Sequence, residues 1–279
     1  MKKFGKYMVL KDVTFNVPEG EIVGLIGPNG AGKTTTIKIL SGLSKRDGGV
    51  LRVFGEDPWE NPRVKSNISV IFSKLPYPPS DSVKEYLDDL SSIYGNDYME
   101  YVEMLNLKPH LKKRLDKLSS GEAQKVQLVS ALIKDAKLIL ADEPTANLDI
   151  YARRDFYNLV REMNREKGVT FIISSHILSE LEKVITYVVL IDNGIVKRSE
   201  KMNKILDQSD EVYLLVDKPE LAMKVLSEKR YGVKLEGSYL KVKGYLRDII
   251  DILDDNDIRV ISANTSSLDK VFSDSSSSS

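Results

Sequence analysis

Hydrophobic and polar positions along the chain alternate between short apolar runs and longer stretches with an apolar stripe at helical spacing. The run Ile22–Ile26 lies between two turn-forming segments rich in glycine and proline, which is typical of a strand buried in a parallel sheet. Similar runs occur at Lys137–Ala141, Val169–Ile173 and Tyr187–Ile191. Because helical patterns separate these runs, the alternation predicts an α/β doubly wound sheet.

Between Ser73 and about Asp135 the pattern becomes helical, with helices predicted at Val83–Tyr94, Tyr98–Leu105 and Glu122–Lys134. We therefore expect a helical insertion in the α/β core, at about residues 74–135.

A separate series of elements follows Ser209: a strand, a helix, two strands, a helix and a strand. They are predicted at residues 212–216, 220–229, 233–235, 240–242, 246–254 and 258–263. This β-α-β-β-α-β order favours a small α+β domain of the ferredoxin-like type. We therefore divide the chain into a first domain, 1–207, an accessory C-terminal domain, 208–273, and a serine-rich, disordered tail, 274–279.

Composition narrows the classes of protein mainly by exclusion. The chain is 42% hydrophobic and 29% charged, as folded proteins are, and its 41 Lys and Arg balance its 41 Asp and Glu. No overall field therefore attracts nucleic acid or an anionic membrane. The absence of cysteine and the presence of only two histidines argue against a disulfide framework and a Cys or His metal cluster. We find neither a secretory signal nor a run of about 18 apolar residues, so we expect a cytoplasmic protein.

The segment after the first buried strand carries a phosphate-binding pattern. It reads Gly27-Pro28-Asn29-Gly30-Ala31-Gly32-Lys33-Thr34, which matches G-x-x-x-x-G-K-[ST] between a strand and a helix. Glycines let backbone N–H groups converge on phosphates, and the helix dipole adds positive potential. We expect nucleotide contacts from Gly27 through Thr35, with Lys33 on the β- and γ-phosphates and Thr34 on Mg²⁺. The pattern alone does not separate kinases, GTPases and motor ATPases. A chance match is expected in roughly one chain of this length in a hundred.

Two adjacent carboxylates, Asp142 and Glu143, end the strand predicted at Lys137–Ala141. At the exit of a strand both side chains can face the same crevice. We expect Asp142 to hold Mg²⁺ and Glu143 to polarise the attacking water. Alone, such a pair is more often a solvated turn, but the phosphate loop favours the catalytic interpretation.

A further motif, Leu118-Ser119-Ser120-Gly121-Glu122, begins an amphipathic helix, for which serine is a favourable N-cap. Together with the phosphate loop, the Asp142-Glu143 pair and a later His176, in that order, it resembles the ATP-binding cassette (ABC) ATPases over essentially the whole chain. The resemblance implies a P-loop NTPase (RecA-like) core with a helical ABC subdomain. It also implies hydrolysis of MgATP between two subunits.

The resemblance implies roles for residues outside the phosphate loop. The Ser119–Gly121 segment would contact the γ-phosphate of ATP held by the opposite subunit, and Asp149 belongs to a second cross-subunit element. His176 corresponds to a histidine that hydrogen-bonds the γ-phosphate, although a single histidine is at least as often structural. Phe4 stands where the family has an aromatic that stacks on adenine, and a core or loosely held N-terminal Phe is an equal alternative.

Three positions depart from the family pattern. Ser73 follows the strand Ile68–Phe72 where the family has a glutamine that ligates Mg²⁺, and the shorter serine would reach the metal only through water. Within the motif Leu118–Glu122, Ser120 stands where the family has a glycine, and Glu122 stands where it has a glutamine. We expect hydrolysis to survive and metal affinity or coupling to change.

Two further segments suggest which partners the chain has and in what kind of complex it works. Leu75–Pro79, stiffened by prolines, lies where the family meets its membrane subunit, and a solvated turn is the alternative. Ser267–Phe272 resembles the ending of the ATPases of multi-subunit drug and polysaccharide exporters. We therefore expect transmembrane permease subunits as partners, with a second nucleotide-binding subunit that is either a copy of this chain or a sister chain. The complex would lie at the inner face of the cell membrane and work in export.

Two alternatives stay open from the sequence alone. One is a soluble ABC ATPase that acts on nucleic acid or ribosomes. Its only hint is the basic run Lys112–Arg114 together with Lys117, and a solvated face explains these charges better. The other is a nucleotide sensor that does not hydrolyse ATP, against which Glu143 argues.

Overall fold

A computed structural model describes residues 1–72, 81–146, 148–176, 181–207 and 211–265. The chain divides into two compact units, Met1–Ser199 and Glu200–Ser279. Ser73, the proline-rich Leu75–Pro79 and the Ser267–Phe272 segment all lie outside the described residues, so the interpretations made of them stay predictions. In the part of the chain that is described, no helix is both long and apolar enough to cross a membrane.

The first unit contains a six-stranded sheet whose strands run in the order β4-β5-β6-β3-β7-β8. The strands are β3 (Ile22–Ile26), β4 (Ile68–Phe72), β5 (Leu138–Asp142), β6 (Thr170–Ser175), β7 (Tyr187–Asp192) and β8 (Ile195–Lys201). The pairs β4-β5, β5-β6, β6-β3 and β3-β7 are parallel. Every residue of β3, β5 and β6 is buried, which explains the apolar runs within them.

The strand register brings three chain segments together at one edge of this sheet. Asp142 at the end of β5 pairs with Ser174 of β6, and Ser175 of β6 pairs with Ile26 of β3. Because parallel strands end on the same side, the residues that follow β3, β5 and β6 all emerge into one crevice.

Helices surround the sheet and form the insertion. They are α1 (Lys33–Leu40), α2 (Pro62–Ser66), α3 (Val83–Tyr94), α4 (Met99–Met104), α5 (Ser120–Ile133) and α6 (Ile150–Lys167). Capping boxes start α3 at Ser82 and α5 at Ser119, since each serine pairs with a glutamate three residues later. Short 3-10 turns at Lys108–His110 and Leu115–Lys117 connect α4 to α5.

A two-stranded antiparallel hairpin, β1 (Lys2–Phe4) and β2 (Tyr7–Leu10), precedes the sheet. It lies outside the predicted elements, because runs of three and four residues carry little periodicity. Leu10 at its end is buried and joins the core of the first unit with residues from α1 and the sheet.

The second unit has the elements α7 (Met202–Asp207), β9 (Glu211–Val216), α8 (Pro219–Glu228), β10 (Gly232–Glu236), β11 (Tyr239–Lys243), α9 (Leu246–Asp254) and β12 (Val260–Thr265). Its four strands form an antiparallel sheet in the order β10-β11-β9-β12. Residues of the sheet and of both α8 and α9 form a separate hydrophobic core, in which Leu214 and Leu226 are fully buried. The expected start of the last strand at Ile258 was wrong by two residues. The N–H of Ile258 instead donates to the carbonyl of Leu253, which closes the end of α9.

Candidate functional site

The loop between β3 and α1 depends on glycines because the chain passes very close to its neighbours. A Cβ atom on Gly27 would overlap the backbone carbonyl oxygen of Ile191. Gly32 has φ of 106°, and a Cβ there would lie 2.5 Å from Leu10 Cδ2. The loop can therefore place its backbone N–H groups at the start of α1 only with glycine at these positions.

Lys33 is the buried cation of this loop. Its side chain is 5% exposed, and Nζ donates to the carbonyl oxygens of Gly27 at 2.8 Å and Pro28 at 3.0 Å. Nζ also lies 3.8 Å from Glu143 Oε1. Burial lowers the pKa of Lys33, while the nearby carboxylates of Glu143 and Asp142 oppose this shift. A cation held in a low-dielectric site interacts strongly with phosphate oxygens.

A continuous chain of hydrogen bonds links the loop to the Asp142 carboxylate and to the backbone of Glu143. The Thr34 hydroxyl donates to Asp142 Oδ2 at 2.8 Å. Ser174, which is fully buried, donates from Oγ to Asp142 Oδ1 at 2.8 Å and accepts the backbone N–H of Glu143 at 3.0 Å. Both oxygens of Asp142 are therefore fixed from opposite sides, and Ser174 orients the peptide that carries Glu143.

Glu143 occupies the left-handed backbone region, with φ of 48°. This conformation is uncommon for a residue other than glycine. It turns the chain out of β5, so that Glu143 Oε1 lies 3.3 Å from His176 Nδ1 as well as near Lys33. The His176 side chain is 44% exposed, at the mouth of the crevice.

The start of α5 carries a second polar cluster. Glu122 Oε2 accepts the N–H of Ser119 at 2.8 Å and the Nζ of Lys113 at 2.7 Å, and its Oε1 lies 3.2 Å from His110 Nδ1. The Ser119 hydroxyl accepts the N–H of Glu122 at 3.3 Å. The hydrogen bond from Lys113, followed by that from Ser119, lowers the pKa of Glu122 to about 2.

The other predicted residues contact partners elsewhere. Asp149 caps α6, because its Oδ1 accepts the N–H groups of Tyr151 and Ala152, both at 2.9 Å. The bond from Ala152 is the main cause of the lowered pKa of Asp149. Phe4 belongs to β1 and is 56% exposed, with Lys2 Nζ 5.3 Å from the centre of its ring. The ring of Phe4 is therefore accessible to a stacking partner.

The structure thus brings Lys33, Thr34, Asp142, Glu143 and His176 together within one chain. Sequence reasoning missed Ser174, which joins the carboxylate of Asp142 to the backbone N–H of Glu143. The available signal was a serine at the carboxyl end of a buried strand, two residues before the candidate histidine.

The oxygen atoms of this cluster fit a magnesium ion. The Thr34 hydroxyl and Asp142 carboxylate are hard ligands of the kind that Mg²⁺ prefers, with water and phosphate oxygens completing its shell. Within the described ranges no group of three or more His, Cys, Asp or Glu forms a ready-made metal cage. An ion held by one hydroxyl and one carboxylate would therefore depend on the nucleotide.

Comparison with known proteins gives consistent results. The profile of the family described as "ABC transporter" matches residues 10–146. The bacitracin transport ATP-binding protein BcrA of Bacillus licheniformis is 33% identical over 69% of this chain, and the match spans 65% of that relative's length. A putative ABC transporter ATP-binding protein of Mycoplasma pneumoniae is 33% identical over 84% of this chain and 74% of its own length. The linearmycin resistance ATP-binding protein LnrL of Bacillus subtilis is 31% identical over 69% of this chain and 64% of its own length.

Solved structures agree with these relatives. An ATP-binding subunit of an ABC transporter superimposes with a TM-score of 0.67 and 30% identity, covering 74% of this chain and 89% of that one. A dimeric ATP-binding cassette in a post-hydrolysis state with ADP and Pi has a TM-score of 0.65 and 25% identity, covering 72% of this chain and 94% of that one. The chain therefore belongs to the ATP-binding proteins of the ABC transporter family, which bind and hydrolyse ATP.

Proposed function

We propose that the chain is the motor subunit of an exporter, in which two copies or sister chains close around MgATP and move separate transmembrane subunits. The observation that carries this proposal is the hydrogen-bonded cluster of Lys33, Thr34, Asp142, Ser174 and Glu143 at the carboxyl edge of the sheet. It places a buried cation, two metal-type oxygens and a carboxylate base around one point, as phosphoryl transfer to water requires.

Each residue of the site has a separate task in the proposed reaction. The loop Gly27–Thr35, in which every residue except Pro28 has a backbone N–H, holds the phosphates. Lys33 neutralises charge on the β- and γ-phosphates. Mg²⁺, when held by Thr34 and Asp142, supplies further neutralisation of the phosphate oxygens. Glu143 accepts a hydrogen bond from the attacking water, and His176 hydrogen-bonds the γ-phosphate from the exposed side of Glu143. Ser73 remains a proposed indirect ligand of the metal.

We infer that the site is completed by a second subunit. Ser119 caps α5, and Ser120 and Gly121 begin it. The backbone N–H groups in the first turn of a helix have no carbonyl partner within it and favour an anion. We assign them to the γ-phosphate held by the opposite chain, and Asp149 to the same seam. Phe4 is accessible enough to stack on adenine. Pairing would thus make the nucleotide part of the interface.

Support for export comes from the relatives and from the C-terminal segment. Two relatives are named for bacitracin transport and linearmycin resistance, and Ser267–Phe272 resembles the ending of exporter ATPases. The β-α-β-β-α-β order of the second unit and its β10-β11-β9-β12 sheet support a ferredoxin-like assignment. We propose the domain limits 1–207 and 208–273 on the same ground.

Nucleotide-driven pairing tests the proposal directly. Glu143→Gln should bind MgATP, hydrolyse it at least about 100-fold more slowly and sediment as a dimer at saturating MgATP. Glu166→Gln removes an exposed carboxylate on α6 and serves as the matched control, with turnover unchanged. A Glu143→Gln protein that stays monomeric, together with a wild-type chain that is inactive beside its membrane partner, would contradict the proposal.

The partner can be identified separately. Wild-type chain purified gently from native membranes should bring a multi-span protein with it. Salt-sensitive recovery with ribosomes or DNA, and without a membrane protein, would instead support the soluble alternative.

A further inference from the structure

The glutamate at the start of α5 is held by two basic side chains at once. Glu122 has a side chain that is only 19% exposed, and Lys113 Nζ lies 2.7 Å from its Oε2. His110 Nδ1 lies 3.2 Å from its Oε1. The carboxylate is turned inward, because the N–H of Ser119 also donates to Oε2. The negative charge of Glu122 is thus paired with basic side chains of the same chain.

This glutamate creates an electrostatic conflict at the proposed dimer seam. A carboxylate near a helix N-terminus stabilises the helix, because it interacts with the positive end of the dipole. The same charge repels a second anion, and the proposed function brings the phosphates of ATP to Ser119–Gly121. Like charges repel, and in a partly desolvated seam this repulsion weakens association.

We propose that Lys113 is a positioning residue for the cross-subunit reaction: it neutralises Glu122 and keeps its carboxylate turned to the Ser119 backbone, so that the start of α5 accepts phosphate from a second copy of the chain. The inference rests on the proposed dimer and deepens it. It assigns to Lys113 a role through Glu122 and no direct contact with ATP.

The backbone around Lys113 is fixed in a way that suits this role. The N–H of Val83, the first residue of α3, donates to the Lys113 carbonyl at 3.0 Å, and Lys113 N–H donates to the His110 carbonyl at 2.9 Å. The N–H of Lys84 donates to the Leu111 carbonyl at 2.9 Å. Movement of the segment Leu111–Lys113 would therefore break its hydrogen bonds to α3. These bonds keep the ammonium group of Lys113 within hydrogen-bonding distance of Glu122.

A nearby lysine offers a matched control. Lys117 has a side chain that is 71% exposed and lies 4.0 Å from Asp116. Replacing Lys117 by methionine removes the same formal charge from the segment before α5 and leaves Glu122 paired. A general loss of positive potential would affect both variants alike, whereas the proposed role belongs to Lys113 alone.

The experiment measures self-association of the full chain in the Glu143→Gln background at saturating MgATP, by sedimentation. We expect Lys113→Met to weaken association by about tenfold or more and Lys117→Met to change it by less than about twofold. Lys113→Arg should retain most of the association. Adding Glu122→Gln to Lys113→Met should restore it, because glutamine keeps the capping geometry without the charge. Binding of ATP to the single chain, measured with the nucleotide in excess over protein, should be the same in all variants.

Two results would overturn the inference. If Lys113→Met associates as well as Lys117→Met, the charge of Lys113 is not needed. If Glu122→Gln does not restore association, Lys113 acts directly on the nucleotide or braces the fold, and the role through Glu122 is wrong. Failure of the Glu143→Gln parent to associate is a different outcome, because it overturns the proposed dimer itself and this role with it.

Discussion

Replacing Ser174 by alanine tests how the two carboxylates are held. The Ser174 hydroxyl donates to Asp142 at 2.8 Å and accepts the N–H of Glu143 at 3.0 Å, in a position with no solvent access. The substitution removes one oxygen atom and adds no bulk. It therefore leaves a buried N–H unpaired and frees one oxygen of Asp142, while Thr34 still holds the other.

The expected loss follows from these two bonds. An unpaired buried polar group costs about 1–3 kcal/mol, and a hydrogen bond to a charged group contributes about 1.5–3 kcal/mol. Because both bonds belong to one hydroxyl and their contributions are not additive, we expect the free energy of unfolding to fall by about 2–4 kcal/mol. A carboxylate displaced by about 1 Å can lower turnover by about 100-fold, so we expect kcat to fall about 10- to 100-fold, with a higher requirement for Mg²⁺.

Urea unfolding followed by circular dichroism, and ATPase rates over a range of Mg²⁺ concentrations, measure these effects. Ser69→Ala is the control, since Ser69 is a buried serine of the same sheet whose hydroxyl donates only to the Ala131 carbonyl, at 2.9 Å. It should cost about 1 kcal/mol and leave turnover per folded molecule unchanged. The reasoning is refuted if Ser174→Ala matches Ser69→Ala in both turnover and Mg²⁺ dependence.

Three other predictions concern charge and packing. Lys33→Met should abolish ATP binding. Burial lowers the pKa of Lys33, so the folded state disfavours its charge and stability rises with pH between that lowered pKa and 10.5. Thermal melting of the nucleotide-free protein should therefore show at most a small loss of stability, because removal of the buried charge offsets the loss of the hydrogen bonds to the Gly27 and Pro28 carbonyls. The pKa of Glu122 is lowered from 4.5 to about 2, so Glu122 should stabilise the protein relative to Glu122→Gln by about 1 kcal/mol after solvent screening. This stabilisation should be complete above about pH 5 and should decrease as the pH falls towards about 2. Equal stability curves for the two proteins from about pH 6 to about 2 would contradict this prediction. Leu214→Ala should destabilise the second unit by about 2–4 kcal/mol in urea and leave ATP affinity unchanged, because Leu214 is fully buried in that unit's own core.

The elements that the sequence predicted well are those with a local signature. β3, α3 and α9 occur with the predicted bounds, since each combines a clear apolar period with a glycine or turn signal at its end. Lys33 and Thr34 were placed for the same reason: strand, loop and helix follow one another within a few residues. Their chemistry depends on spacing that can be read along the chain.

The residues that were missed depend on contacts between distant segments. Ser174 touches Asp142 across 32 positions of sequence, through the register of β5 and β6, and a serine at the end of a buried strand most often satisfies only neighbouring backbone groups. The pairing of Glu122 with Lys113 depends on how the 3-10 turns before α5 fold back. Neither contact leaves a period or a motif in the sequence.

The backbone of Glu143 has a consequence for how this protein can change over time. A left-handed conformation costs a non-glycine residue roughly 1 kcal/mol, and glycine adopts it without that penalty. The substitution that best relieves the backbone strain at Glu143 is therefore glycine, which removes the carboxylate. Selection for stability and selection for turnover therefore favour different residues at position 143. An inactive descendant of this chain with glycine at this position would have a higher free energy of unfolding than its parent.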